Sequence, residues 1–149
     1  VSAVAKAALL DVAYALRDQV EAGLDGDDAI PDLQVAGIRL FNPTPPVVDV
    51  YPGDPFAEQT SMGYREQEVA FTVRARVSTA ENEGGQELLL QMIDSSSPLS
   101  VAAAIYADTT LGGLIGDLRV EGPSGHIVYI DPGGAGNLLG VEWRVVMVR

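Results

Sequence analysis

The sequence predicts an α+β fold: a single domain, residues 1–149, with a mainly antiparallel sheet around one long central strand, packed against an N-terminal helix and a central helix pair. Three observations lead there. The stretch Glu66 to Thr79 (E-Q-E-V-A-F-T-V-R-A-R-V-S-T) alternates, with Val69, Phe71, Val73, Ala75 and Val77 on one side and Glu68, Thr72, Arg74, Arg76 and Ser78 on the other. It is longer than the usual five or six residues of a strand, which places it in the middle of a sheet with one buried and one wet face. Helix-period segments and shorter strand patterns stand in groups on either side of it, and such grouping favours α+β over alternating α/β.

Composition narrows the function classes. A chain of 149 residues is large enough to bury roughly two thirds of its unfolded surface. A hydrophobic content of 47% and a mean hydropathy of +0.16 argue against global disorder. No apolar run approaches the roughly 20 residues that span a bilayer, so no membrane partner is expected. Without cysteine, neither a disulfide nor thiolate chemistry is available. The opening V-S-A-V-A-K-A-A-L-L is interrupted by Lys6 and runs into an amphipathic pattern, unlike a secretory signal, which points to the cytoplasm. A net charge of −12 is wrong for a surface that grips nucleic acid by its phosphates. Such acidity keeps a protein soluble, and it also suits a passage through which DNA must move without sticking.

Taken in order, residues 3–22 predict the first helix, with Val4, Ala8, Leu9, Val12, Leu16 and Val20 at helical spacing and Gly23 as its C-terminal cap. Asp25-Gly26-Asp27-Asp28 reads as a solvated turn. A calcium loop counted from Asp25 would put Ile30 sixth and Ala36 twelfth, where glycine and glutamate belong. Leu33 to Phe41 predicts a strand that Gly37 disturbs, and N-P-T-P-P (42–46) a stiff connector. Val47 to Tyr51 predicts a short strand with Asp49 its only charge. Pro52-Gly53-Asp54-Pro55 then predicts a turn, and Phe56 to Tyr64 an irregular loop and candidate contact surface. After the long strand, Leu88, Leu89, Met92 and Ile93 mark a second helix; Ser97 as N-cap and Pro98 at the first position restart a third. Residues 110–116 predict a turn. Leu118 to Glu121 and Ile127 to Ile130 predict two short strands around a Gly122-Pro123-Ser124-Gly125 turn, and Leu138 to Arg149 the last strand, carrying Trp143.

Candidate chemistry is sparse. Ser124, His126 and Asp131 are near one another in sequence, but G-P-S-G-H in a hairpin-like turn is not the strand-to-helix elbow of a serine hydrolase. With one histidine, a histidine-based metal site is not expected. Gly133, Gly134 and Gly136 lack the Lys-Ser/Thr pair and following helix of a phosphate loop, and Glu66 with Glu68 reads as a solvated acidic pair. No catalytic residue, cofactor or metal is therefore predicted. Arg74 and Arg76 stand out because basic residues number only nine. Pairing within the chain is their default, and the alternative is a subunit or lumen surface meeting acids of a neighbour.

Several segments together resemble the tail terminator and related head-to-tail connector (neck) proteins of long-tailed bacteriophages. They are P-T-P-P-V-V-D-V-Y-P-G-D-P-F (43–56), F-T-V-R-A-R-V (71–77), Q-E-L-L-L-Q-M-I-D (86–94), T-L-G-G-L-I-G-D-L-R-V (110–120), G-P-S-G (122–125) and G-V-E-W-R-V-V-M-V-R (140–149). The likeness is to the small neck proteins of phages infecting actinobacteria, or of phage-like gene-transfer particles. It implies a virion protein, assembled in the host cytoplasm, that forms a ring, usually hexameric, on the head-proximal end of the tail tube. Such a ring stops tube polymerisation and joins the tail to the connector, with DNA passing non-specifically through the lumen. The implied partners are other copies of the chain, the tail tube protein and a head-tail stopper or adaptor protein. The family offers no catalytic residues to carry over. Pro45, Pro46, Tyr51, Asp54, Phe56, Met62 and Tyr64 then become candidate contacts with the tube or the next subunit. Two alternatives stay open: another neck component (stopper or adaptor), and a small acidic enzyme or ligand-binding domain.

Overall fold

The computed structural model describes residues 8–26, 30–41, 43–59, 67–79, 82–129 and 137–149. Within them the chain runs α1 (Leu9–Leu24), β1 (Gln34–Ala36), β2 (Val47–Gln59), β3 (Gln67–Ser78), α2 (Asn82–Ile93), α3 (Val101–Ile105), β4 (Asp117–Tyr129) and β5 (Leu138–Val148). The strands form one sheet in the order β1-β2-β3-β5-β4, antiparallel except for the short parallel pair β1 and β2. The architecture is the predicted one, an α+β domain whose long alternating strand, β3, lies at the centre of the sheet.

The register shows why the alternation works. Val50, Val73 and Trp143 are paired across β2, β3 and β5, as are Val48, Ala75 and Val141, and both rows belong to the core. Residues directly opposite one another share a sheet face, so these rows form one continuous apolar floor. The helices lie on it. Val12, Leu16 and Val20 of α1, Leu89 and Met92 of α2, and Val101 and Ile105 of α3 are all buried in the same cluster. Trp143 sits within it with no exposed surface, and its indole N–H has no hydrogen-bond partner among the described residues.

Several boundaries differ from the expectation, each for a packing reason. The start expected for the first helix falls outside the described residues, and α1 continues through Gly23 to Leu24. Gly23 is a crossing point: a Cβ there would collide with that of Ala104 in α3. The Gln19 amide donates to the carbonyls of Ile105 and Asp108, tying the same two helices. The third helix starts later than expected. The Ser97 hydroxyl accepts from the Leu99 amide in a turn, and Ser100 supplies the cap by accepting from Ala103 N at 3.1 Å.

Two expected turns are irregularities inside long strands. Pro52-Gly53-Asp54-Pro55 lies within the 13-residue β2, where the register with β3 jumps between Pro52 and Ala57. Gly122-Pro123-Ser124-Gly125 lies within the equally long β4, with register shifts at Glu121/Ser124 and Gly125/Ile127. The expected pair of short strands is thus a single strand. Glycine and proline punctuate a chain locally, but strong pairing on both sides converts the interruption into a bulge, which an edge strand such as β4 tolerates. Conversely, the strand expected over 33–41 forms ladder pairs only at Gln34–Ala36, because the chain beyond Gly37 turns onto the other face of the sheet.

Gly140 is the most closely approached of the described glycines in the sheet: an added Cβ would lie 2.6 Å from the Tyr129 ring, 2.8 Å from the Ala75 carbonyl oxygen and 2.9 Å from Arg76 Cγ. Gly26 has nothing within 4 Å of the equivalent point. Gly140→Val is therefore expected to lower stability by about 2 kcal/mol, seen as a reduced urea midpoint at unchanged slope, whereas Gly26→Ala leaves the midpoint within error.

Candidate functional site

The face of the sheet opposite the helices carries the polar residues of β3, and it is covered. Arg74 and Arg76 are only 4% and 5% exposed. The expectation of a wet face offering them as a subunit or lumen surface is corrected by their partner, Asp49 on β2, which is fully buried. Arg74 grips Asp49 with both arms of its fork, Nε donating to Oδ1 at 3.1 Å and the terminal nitrogen to Oδ2 at 2.6 Å. Arg76 donates to the same Oδ2 at 3.2 Å. Pairing within the chain is what the two arginines do.

The backbone of Leu40 completes the site. Its amide donates to Asp49 Oδ2 at 3.0 Å, and its carbonyl accepts from Arg76 at 3.2 Å and from Arg74 at 3.5 Å. Asp49 thus accepts four hydrogen bonds, which compensates the loss of water around a buried carboxylate. On the other side, Glu142 of β5 accepts from the Tyr51 hydroxyl at 2.9 Å and the Tyr129 hydroxyl at 2.8 Å. The two rings hold the Arg74 guanidinium between them, 4.9 Å from Tyr51 and 5.0 Å from Tyr129. Arg39 stacks on Tyr51 at 4.7 Å, and Arg76 lies 5.9 Å from Tyr129. Cations and rings therefore alternate across the connector, β2, β3 and β4.

Burial and charge act differently on the members of this cluster. Burial works against the Arg74 cation, but the hydrogen bonds and charge of Asp49 more than offset it, and its pKa rises. For Arg76 burial outweighs the attraction of Asp49 while Arg74 adds repulsion, so its pKa falls. The Arg76 Nε has no hydrogen-bond partner among the described residues. Burial pushes Tyr51 up to about 12, opposed by Arg74 and assisted by Glu142. Burial followed by the bond to Glu142 raises Tyr129 as well.

The other sequence-predicted contacts divide. Pro45 and Pro46 are half-buried and border, with Val77, Leu88 and the glycines of α2, a cleft of about 470 Å³. Tyr51 belongs to the buried network, and Asp54 is exposed. Phe56 meets Phe71 edge to face, with ring centroids 5.5 Å apart, and so leans on the core. Met62 and Tyr64 lie outside the described residues, as do Glu66, Asp131, Gly133, Gly134 and Gly136. Ser124 is exposed on β4, its hydroxyl 3.5 Å from the Glu142 carbonyl. A groove of about 420 Å³ beside Asp54 and Phe56 has walls of both signs, and its charges pair with one another: Arg119 with Glu68 at 3.0 Å and with Glu121 at 3.4 Å, and Arg144 with Glu121 at 3.8 Å. Among the described residues no cluster of three potential metal ligands occurs, and no helix is long and apolar enough to cross a membrane.

What the surface offers instead is exposed apolar side chains, among them Leu10 and Leu90 on the helices and four residues close in sequence to Leu40 and Tyr129. Beyond β1, Ile38 is 55% and Phe41 80% exposed, on either side of the anchored Leu40. On β4, Ile127 is 49% and Val128 54% exposed. Neighbours on a strand point to opposite faces, so this end of β4 is open on both. Sequence reasoning missed Asp49, Tyr129 and Glu142; a lone acid inside V-V-D-V was the available signal for the first. No protein-family model and no curated protein sequence matches the chain.

Asp49→Ala leaves two buried guanidiniums and the Leu40 amide without their acceptor, and is expected to cost about 3–5 kcal/mol in chemical denaturation. The tyrosines set an alkaline limit. Their folded-state pKa lies above the ordinary value of 10.0, so the stability they contribute is complete below about pH 10 and is lost as pH rises through about 12 for Tyr51. Unfolding free energy is expected to fall across that window, and the slope to flatten in Tyr51→Phe and in Tyr129→Phe.

Proposed function

We propose that the chain is a structural protein of a phage or phage-like particle that assembles as a ring on the head-proximal end of the tail tube, as a tail terminator. The ring ends tube polymerisation and joins the tail to the stopper or adaptor of the head connector, and DNA passes through its lumen. The observation that carries this reading is the pair of exposed apolar sites, Ile38 with Phe41 beside the anchored Leu40 and Ile127 with Val128 on β4. Two unlike surfaces on one chain favour head-to-tail contacts, which close into rings when the rotation between copies allows. A net charge of −12 supports it further, since a lumen that repels phosphate lets DNA leave quickly. The resemblance of the segments between residues 43 and 149 to neck proteins supplies the particular place in the particle.

Native mass spectrometry or negative-stain imaging of the purified chain is expected to show a discrete ring, and a strictly monomeric chain at high concentration counts against the reading. Particles lacking the protein are expected to carry overlong tails. Tails of normal length that fail to join heads would instead assign it to the stopper or adaptor position. Ser124→Ala is expected to leave particle assembly unchanged; loss of assembly with the fold intact would reopen a hydrolytic role.

A further inference from the structure

Beside the buried cluster lies a cavity of about 340 Å³ whose walls carry both signs of charge, Arg39 and Arg144 against Asp54 and Glu142. Its size is that of a small-molecule site. We propose that it binds a small zwitterion, the ligand's ammonium group resting on Glu142 and Asp54 and its carboxylate on Arg39 and Thr72. The site is built within one copy of the chain, so it stands apart from the ring reading.

Glu142 is an acceptor held in place before any ligand arrives. The Tyr51 and Tyr129 hydroxyls both donate to its Oε1, at 2.9 and 2.8 Å, and turning the carboxylate breaks both bonds. Its second oxygen, Oε2, accepts no hydrogen bond from the described residues. A carboxylate oxygen fixed in this way suits an ammonium group, which brings three donors and no acceptor. Little freedom is lost on binding to a group already ordered.

The donors for a carboxylate come from other parts of the fold. Strand pairing sets Tyr51, Thr72 and Arg144 in one row, next to the row of Asp49, Arg74 and Glu142 on the same face. Arg39 reaches in from the segment after β1, its guanidinium 4.7 Å from the Tyr51 ring. Neither that guanidinium nor the Thr72 hydroxyl makes a hydrogen bond or ion pair with the described residues, and both line the cavity. Arg144, 3.8 Å from Glu121, adds positive charge to the same space. Two cations and two acids then select against a ligand of one sign: a phosphate meets Asp54 and Glu142, and a diamine meets Arg39 and Arg144. The neighbouring clefts lack this arrangement. In the groove beside Phe56 the arginines pair with acids of the groove itself, and the cleft at Pro45 and Pro46 has Asp32 as its one charged wall among the described residues.

The probes are the ω-amino acids from glycine to 6-aminohexanoate, which vary the separation of the two charges, titrated calorimetrically into the full chain. Pentanoate, pentylamine and glucose serve as comparisons. One length in the series is expected to saturate, with a Kd about tenfold below those of pentanoate and pentylamine, since each of these keeps only one of the two charged contacts. Glucose is expected not to bind. Arg39→Gln and Thr72→Val remove side-chain donors that have no partner within the chain, so the thermal midpoint is expected to match the parent while the Kd rises about fivefold or more in each. Should Thr72→Val lower the midpoint, the exposed Arg39→Gln decides. A series in which no length exceeds pentanoate and pentylamine would overturn the proposal, as would glucose binding as well as the best amino acid. Binding that persists unchanged in Arg39→Gln places the ligand elsewhere and overturns it too. A chain that proves monomeric removes the ring reading and leaves these outcomes as they stand.

Discussion

Asp49 carries its charge between the buried Val48 and Val50 of β2, with no surface in contact with water. A carboxylate in that position costs several kcal/mol unless nearly every lone pair is answered, and here the answers come from three parts of the chain. Arg74 and Arg76 turn inward from β3, and the Leu40 amide comes across from the connector beyond β1. One carboxylate does not balance two guanidiniums. Glu142 adds a second acid beside Asp49, Arg74 and Arg76, holding the tyrosines that close over Arg74. Removing Asp49 therefore exposes the dependence of the connector and of both central arginines on a single side chain.

The consequence for function follows from coverage. An antiparallel sheet with helices on one face commonly presents the other face to water or to a partner. In this protein the second face is closed along β2 and β3 by rings and guanidiniums stacked alternately from Arg39 to Arg76. Exposed apolar side chains that a partner could meet lie elsewhere, Phe41 and Val128 among them. The buried polar cluster fixes their chain neighbours, Leu40 and Tyr129.

The irregular strands serve the same geometry. A turn at Pro52-Gly53 or at Gly122-Pro123 would end each strand early and remove Tyr129 from the reach of Glu142. Because the interruptions are absorbed as bulges, β2 and β4 each keep 13 residues in the sheet, and β4 continues through Ile127 and Val128 to Tyr129.

The sequence by itself determined whatever depends on short-range periodicity. Helices α1 and α2, the central strand, the closing strand and the α+β class follow from apolar spacings of about 3.6 and 2 residues, which reflect how successive side chains point from one stretch of backbone. It also determined that Arg74 and Arg76 lie on the face opposite Val73 and Val77. Only the tertiary structure decided what that face meets. Asp49 is 25 residues from Arg74, and the Tyr129 and Glu142 that complete the cluster come from two further strands, β4 and β5. The difference between a turn and a bulge at Gly122-Pro123 likewise depends on pairing with β5, because proline and glycine permit either and the ladder on both sides selects one. Local pattern sets the direction of a side chain; burial is a property of everything that folds around it.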